Sequence, residues 1–340
     1  MSNESFFRSV GGKVPYLGQE ETHWNFGRIA PADMSEDQKK TDTLAKENFV
    51  EFKLVGETDE PKDRAFLWDF SKKANNGKHF ETFYQQTGSC VGNGCGQAMW
   101  YLQAVESIRL GDAELVKLPF WLLPYGRSRS IGGMHGRGEG SFGSAIAEAM
   151  RVDGTIESDL EGLPQPTSSG GLTWGSKAEM EWSDGDSIKD KWLSLSRKHL
   201  VKSAAQIKSG KDAREALLNY YPLTIASMFG TSPLVVKAVG TPAVRLAKKN
   251  DSWGHQMCVI GVVNHPEFGW IFYVLNSWGT TVHGEPCGNY GEPAGGFWIG
   301  YVEMSVLLTR SLMGFQPKVS VGECNSVVYL CLFCYNLRSP

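Results

Sequence analysis

Two β-rich runs near residue 260 constrain this chain more than any other feature. "HQMCVIGVV" (255–263) and "WIFYVLNSW" (270–278) are separated by "NHPEFG", which supplies both Pro and Gly. Two such runs across a short breaker read as an antiparallel hairpin. Antiparallel pairing brings the start of one strand to the end of the other. His255 opens the first run and Asn276 closes the second, so the hairpin sets an imidazole beside a carboxamide. An Asn carbonyl within reach of an imidazole holds its tautomer and ring plane, which is the role of the third member of a nucleophilic triad.

The missing member is a nucleophile. "YQQTGSCVGNGCGQAMWYLQ" (84–103) carries Cys90 and Cys95 in a glycine-rich stretch, after which Ala98, Met99, Leu102, Val105 and Ile108 recur at helical spacing up to Gly111. The pattern predicts a helix that starts just behind the cysteine pair, near Cys95 at the earliest, because Gly92, Gly94 and Gly96 disfavour a helical turn. A thiol at a helix start beside an imidazolium ionises below the ~8.5 of a free thiol. Both cysteines satisfy that position.

Metal and disulfide readings of the cysteines are weaker. Seven cysteines are an odd number for a disulfide framework, and the N-terminal "MSNESFFRSVGGKVPYLGQEE" lacks the apolar core of an export signal. Reduced thiols are expected, with the polypeptide beginning near Met1 and residing in the cytoplasm or elsewhere inside a cell, virion association included. Cys331 and Cys334 have CxxC spacing, but zinc needs four ligands and no second pair accompanies them. No metal and no organic cofactor is expected.

The chain has 340 residues, 41% of them apolar, enough for one large core or two lobes sharing a cleft. A formal charge of −3 without a basic tract argues against nucleic acid as a partner. The longest apolar run, 326–337, falls short of the roughly 20 residues that span a bilayer. It reads as a buried strand or docked tail, and no membrane association is expected.

The glycine cluster 136–143 precedes a helical face of Ala145, Ile146, Ala149 and Met150. Residues 162–187, punctuated by Pro, Gly and Ser, read as a long surface excursion. A helix near 210–218, a strand at Leu223–Ala226 and a further strand in "GGFWIGYVEMSVLL" follow. The first half is therefore predominantly helical and the second predominantly antiparallel sheet. His23, His79, His135, His199, His265 and His283 show no ligand spacing and read as surface or loop residues.

"TGSCVG" (87–92), "WGHQMCVIGVV" (253–263), "LNSWGTTVHGE" (275–285), the glycine loop with its helix and "GGFWIGYVEM" together resemble the papain-like cysteine peptidases. The likeness is to the bacterial and phage-type members without a secretory prodomain. It implies an α+β, papain-like two-lobed fold: a helical lobe, about 81–205, and an antiparallel β-barrel-like lobe, about 206–315, with the active site in the cleft between them. Residues 1–80 are then an N-terminal extension or cap, positioned to cover the cleft as an inhibitory segment, and 316–340 a C-terminal tail. Either end offers a docking surface for protein partners. The interval from Cys90 to His255 exceeds the about 130–150 residues usual in the family, and the excursion at 162–187 absorbs the excess.

The resemblance also implies roles. Cys90 attacks a peptide carbonyl, with Cys95 as the alternative nucleophile; His255 forms the ion pair and protonates the leaving amine; Asn276 orients the imidazole and Trp278 shields their hydrogen bond. Gly138, Gly140 and Ser141 line the substrate cleft. The family's oxyanion glutamine lies six residues before the cysteine, where this chain has Tyr84. Gln85, Gln86 or the Tyr84 hydroxyl is left to serve. The implied function is hydrolysis of polypeptide substrates through a thioester. The alternatives are a weakly active or inactive papain-fold protein with a structural role, for example in a viral particle, and an amidase or acyl transferase using the same triad.

Overall fold

The computed structural model describes residues 27–29, 31–49, 62–111, 116–201, 203–309 and 327–332. In chain order the elements are α1 (Glu36–Glu47), β1 (Arg64–Phe66), α2 (Trp68–Ala74), α3 (Cys90–Leu110), α4 (Leu122–Ile131) and α5 (Gly143–Val152), followed by β2 (Thr167–Ser168), β3 (Leu172–Thr173), α6 (Gly175–Trp182) and α7 (Asp190–Ser196). Then come β4 (Ser203–Ile207), α8 (Gly210–Leu218), β5 (Leu223–Ser227), β6 (Ala238–Val239), β7 (Val244–Ala247), β8 (His255–His265), β9 (Gly269–Leu275), β10 (Gly296–Gly300), α9 (Tyr301–Thr309) and β11 (Val327–Leu332).

The expected hairpin is β8–β9, antiparallel from His265↔Gly269 to Cys258↔Leu275 with a bulge between Val259 and Gly261. Asn276 follows the last paired residue, so the register returns it toward His255. β8 is buried along almost its whole length, which explains why its sequence is a continuous apolar run rather than an alternation. Trp68, Tyr273 and Trp298 pack edge to face on that sheet, with ring centroids 5.1–6.2 Å apart. Such pairs contribute beyond their area burial.

The second half departs from the expected barrel-like antiparallel lobe. Its sheet runs β4–β11–β5–β8–β9–β10–β7–β6, with β1 added alongside β8. The path is open, and β10 pairs β7 in parallel. This is an α+β fold with a mixed sheet and no closed barrel among the described residues. The strand expected from "GGFWIGYVEMSVLL" covers only Gly296–Gly300, and the remainder becomes α9. Val327–Leu332 is a strand, inserted between β4 and β5.

The helix behind the cysteine pair also starts earlier than expected, at Cys90 itself. Close packing overrides propensity here. A Cβ on Gly92 would stand 2.5 Å from Trp121, and one on Gly96 would stand 2.6 Å from it. Gly94 faces the Gln256 backbone of β8, where a Cβ would stand 3.2 Å from the carbonyl oxygen. The glycines cost about 1 kcal/mol each in helix propensity, but they let α3 lie directly against α4 on one side and β8 on the other. Gly111 ends the helix in the left-handed region, φ 76°, as its sequence position predicts.

Residues 162–187 are not a loose excursion. They form the β2–β3 ribbon and α6, and they bury Trp174 and Ala178 against Phe83, Phe120 and Trp121. The Pro, Gly and Ser punctuation correctly marks turns, but the tryptophans between them supply enough apolar area to dock the segment on the helical lobe.

Candidate active site

The site begins at the open end of the hairpin. His255 Nε2 donates to Asn276 Oδ1 at 2.7 Å, which leaves Nδ1 as the basic nitrogen of the neutral ring. The Asn276 amide cannot turn over, because its Oδ1 also accepts the Ser277 backbone N–H at 2.7 Å and its Nδ2 donates to His283 Nε2 at 2.9 Å. His283 Nδ1–H in turn donates to the Leu234 carbonyl at 3.0 Å. One carbonyl, two imidazoles and a carboxamide thus form an ordered chain in which each group has one permitted protonation state. Trp278 covers it, its ring 4.5 Å from that of His255 and 6.3 Å from that of His283.

His283, read as a surface or loop residue, does lie in the loop after β9 but is fully buried there, and His265 is neither, being buried at the end of β8. His23 lies outside the described residues. One signal for His283 was available, since an Asn whose carbonyl must face a histidine needs an acceptor for its own NH2, and His283 follows in the same loop.

Cys90 is the first residue of α3 and reaches the other side of the site. The backbone of Gln256, the residue after His255, is among the groups that favour its thiolate form. Cys95 follows inside the same helix, and both cysteines belong to one apolar cluster with Val91, Met99, Ile146 and Met150. Gln97 on the same helix donates to the Asn276 carbonyl at 3.3 Å and accepts the Phe83 N–H at 3.2 Å, tying helix, loop and Asn segment together.

Of the oxyanion candidates, Gln85 is buried and bonded across the cleft. Its N–H donates to the Ser277 carbonyl and its Oε1 accepts the Ser277 hydroxyl at 2.6 Å, while its Nε2 donates to the Thr87 carbonyl at 2.9 Å. Gln86 is half-buried, with its Nε2 3.4 Å from the Tyr84 carbonyl. Gly140, at φ +84°, and Ser141 lie on one side of residues 27–29, with Gly254 on the other. Gly138 stands back from them, its N–H on Ser183 Oγ at 3.0 Å.

Residues 27–29 run between these two sides. Ser141 N–H donates to the Gly27 carbonyl at 2.9 Å, Ile29 N–H to the Ser141 carbonyl at 2.8 Å and Arg28 N–H to the Gly254 carbonyl at 3.2 Å. Gly27 approaches the nucleophile loop so closely that a Cβ on it would lie 1.6 Å from the Gly88 carbonyl oxygen. Cys90, His255 and Asn276 are all fully buried. The segment continues into α1, which is started by a Ser35–Gln38 capping box and docks on α5, with Met34 against Phe142 and Ala145.

Burial dictates the electrostatics. It pushes the Cys90 thiol up to about 11, against backbone hydrogen bonds from Gln256, Gly27 and Val91 and the Arg28 charge, which act the other way. It pulls His255 and His283 down to about 4 each. The covered site therefore holds a neutral thiol and neutral rings. Because both histidines titrate below their ordinary value, the stability linked to them is complete above about 6.5 and is lost as pH falls toward 4. Circular dichroism melts are expected to show the unfolding temperature dropping steeply over that window. A flat profile from pH 7 to 4.5 would contradict the neutral-ring assignment.

Comparison with known proteins places this architecture. No protein-family model and no curated protein sequence matches the chain. Among solved structures, the chain is similar to xylellain, a cysteine protease from Xylella fastidiosa, at 15% identity and a TM-score of 0.54, over 93% of this chain and 98% of that one. It is also similar to procathepsin B S9 from Trypanosoma congolense, at 10% identity and a TM-score of 0.52 over 96% and 97% of the two chains. Digestive procathepsin L 3 of the Tenebrio molitor larval midgut matches at 12% identity and a TM-score of 0.50, over 97% and 86%. The fold is that of the papain-like cysteine proteases.

Among the described residues no group of His, Cys, Asp and Glu has the arrangement of a metal site, and no helix is long and apolar enough to cross a membrane.

Proposed function

We propose that this protein is a cysteine peptidase whose nucleophile is Cys90, and that residues 27–29 are a cover over its cleft. The observation that carries the reading is the 2.7 Å His255–Asn276 bond, formed on the strand whose next residue, Gln256, packs against the helix that Cys90 opens. With the cleft open, His255 takes the thiol proton. The thiolate attacks the peptide carbonyl carbon, and the oxyanion is met by the Cys90 N–H at the helix start and by the amide of Gln85. Collapse expels the amine, which leaves with the proton from His255. Water, deprotonated by His255, then cleaves the thioester and restores the thiol. Cys90 rather than Cys95 is preferred because it opens the helix and its thiolate form is favoured by the backbone of Gln256, the residue after His255.

The test is labelling of the full chain by a peptide-mimicking electrophile, in a Gly27→Val background that has no room for the cover. A mass adduct on Cys90 is expected, absent in Cys90→Ala and His255→Ala and retained in Cys95→Ala. Absence of any adduct, or equal labelling of all four proteins, favours a structural or binding role for the fold. Loss only with Cys95→Ala moves the nucleophile. Products formed from a peptide in the presence of an added amine separate hydrolysis from acyl transfer.

A further inference from the structure

The loop that leads into Cys90 is held by a buried carboxylate to which the reaction above assigns no role. Glu179, on α6, is fully buried. It accepts the Gln86 N–H on both oxygens at 3.0 and 3.1 Å, the Thr87 N–H at 2.9 Å, the Thr87 hydroxyl at 2.6 Å and the Ser89 hydroxyl at 2.8 Å. The next N–H along, that of Gly88, donates to Glu139 Oε2 at 3.0 Å. Three consecutive backbone donors before the nucleophile therefore all end on carboxylate oxygen. The loop's carbonyl side is fixed as well, with Tyr125 Oη and the Gly140 N–H on the Gly88 oxygen at 3.2 and 2.9 Å.

We infer that Glu179 is a positioning residue: its carboxylate holds Gln86–Ser89 in the one arrangement that presents the Cys90 thiol and the Gln85 amide to a substrate carbonyl. This inference rests on Cys90 being the nucleophile. The chemistry of the donors excludes other side chains. Four donor groups converge on one carboxylate, so only a group that accepts on every face satisfies them. A glutamine would turn an NH2 toward backbone N–H groups, and an apolar residue would leave every one of these buried donors without a partner.

The position is costly, since among the described residues Glu179 has no ion-pair partner. Burial raises its pKa to about 7 against the hydrogen bonds from Thr87, Ser89 and Gln86. Tyr125 of α4, whose hydroxyl holds the Gly88 carbonyl, feels the charges of Arg129, Glu139, Cys90 and Glu179 together. Above about 7 the carboxylate satisfies its donors, whereas below it the added proton points among donors and the loop must rearrange. Turnover therefore carries an acid limb set by Glu179. Stability runs the other way, because the raised pKa makes its contribution complete below the ordinary carboxylate range and lost as pH rises through about 7. A residue serving stability alone would show no such opposition.

The experiment compares Glu179→Gln with its parent, both in the full chain carrying Gly27→Val. Amide hydrogen exchange is read over 84–90, and kcat and KM are read with a fluorogenic peptide library from pH 5 to 9. Expected are exchange at Gln86–Ser89 about 10-fold faster with the α3 interior unchanged, kcat about 10²-fold lower with KM nearly constant, and loss of the limb near pH 7. Thr87→Val, which removes a single donor, should fall between and replaces Glu179→Gln if that variant does not fold. Unchanged exchange overturns the inference, as does faster exchange with kcat and the pH profile intact. If the Gly27→Val parent itself turns nothing over, the peptidase reading fails, and the exchange result alone decides whether Glu179 holds the loop.

Discussion

Gly27→Val in the full chain is expected to raise the rate at which a small alkylating reagent modifies Cys90 by on the order of 10²-fold at neutral pH. The reason is steric first. Even one carbon on Gly27 would lie 1.6 Å from the Gly88 carbonyl oxygen, so the segment cannot stay between Gly88 and Ser141 with a side chain. Its three backbone bonds to Ser141 and Gly254 are lost with it. The electrostatic consequence follows. The thiol now raised from its ordinary 9.0 to about 11 by burial returns toward that ordinary value, multiplying the thiolate fraction by about 100, partly offset by the lower nucleophilicity of a less basic sulfur. His255, freed from burial, regains the ability to hold the proton. Reactivity measured by mass spectrometry that is no higher in the variant would show that residues 27–29 do not quench the site.

His283→Leu, in the same uncovered chain, is expected to lower kcat by about 10–100-fold and to destabilise the fold by roughly 1–3 kcal/mol for each polar group it orphans. Two lose their partner, Asn276 Nδ2 and the Leu234 carbonyl. With no acceptor behind it, the Asn276 amide keeps only the Ser277 N–H on its Oδ1, which weakens the orientation that selects the reactive tautomer of His255. Combining His283→Leu with Asn276→Ala should then cost little more than Asn276→Ala alone, since groups acting as one unit are not additive. Full additivity in the kinetic cycle would mean that His283 acts on something other than Asn276.

These two residues mark where reading the chain succeeds and where it stops. The β8–β9 hairpin was legible because its pairing is local and its breaker carries Pro and Gly, so His255 and Asn276 could be placed together before any coordinates. The α5 and α8 helices and the strand at 223 were legible by the same local periodicity. The start of α3 was not, because Gly92 and Gly96 weigh against a helix until Trp121 is known to lie against them. The segment 162–187 was misread for a related reason: its turn residues are visible in the sequence, while the aromatic partners that bury it come from elsewhere in the chain. The mixed, open sheet depends on the parallel β7–β10 pairing, which no local pattern announces.

Sequence alone determined the chemical parts: a thiol ahead of a helix, an imidazole and a carboxamide at the two ends of one hairpin, and the order in which they occur. Tertiary structure decided their state. Glu179 grips a loop some ninety positions upstream of it, His283 locks an amide through a bond to Leu234, and Gly27 packs against Gly88 and Ser141. Proton affinity follows burial and the donors that happen to face a group, and both arise only when segments far apart in the chain are packed together.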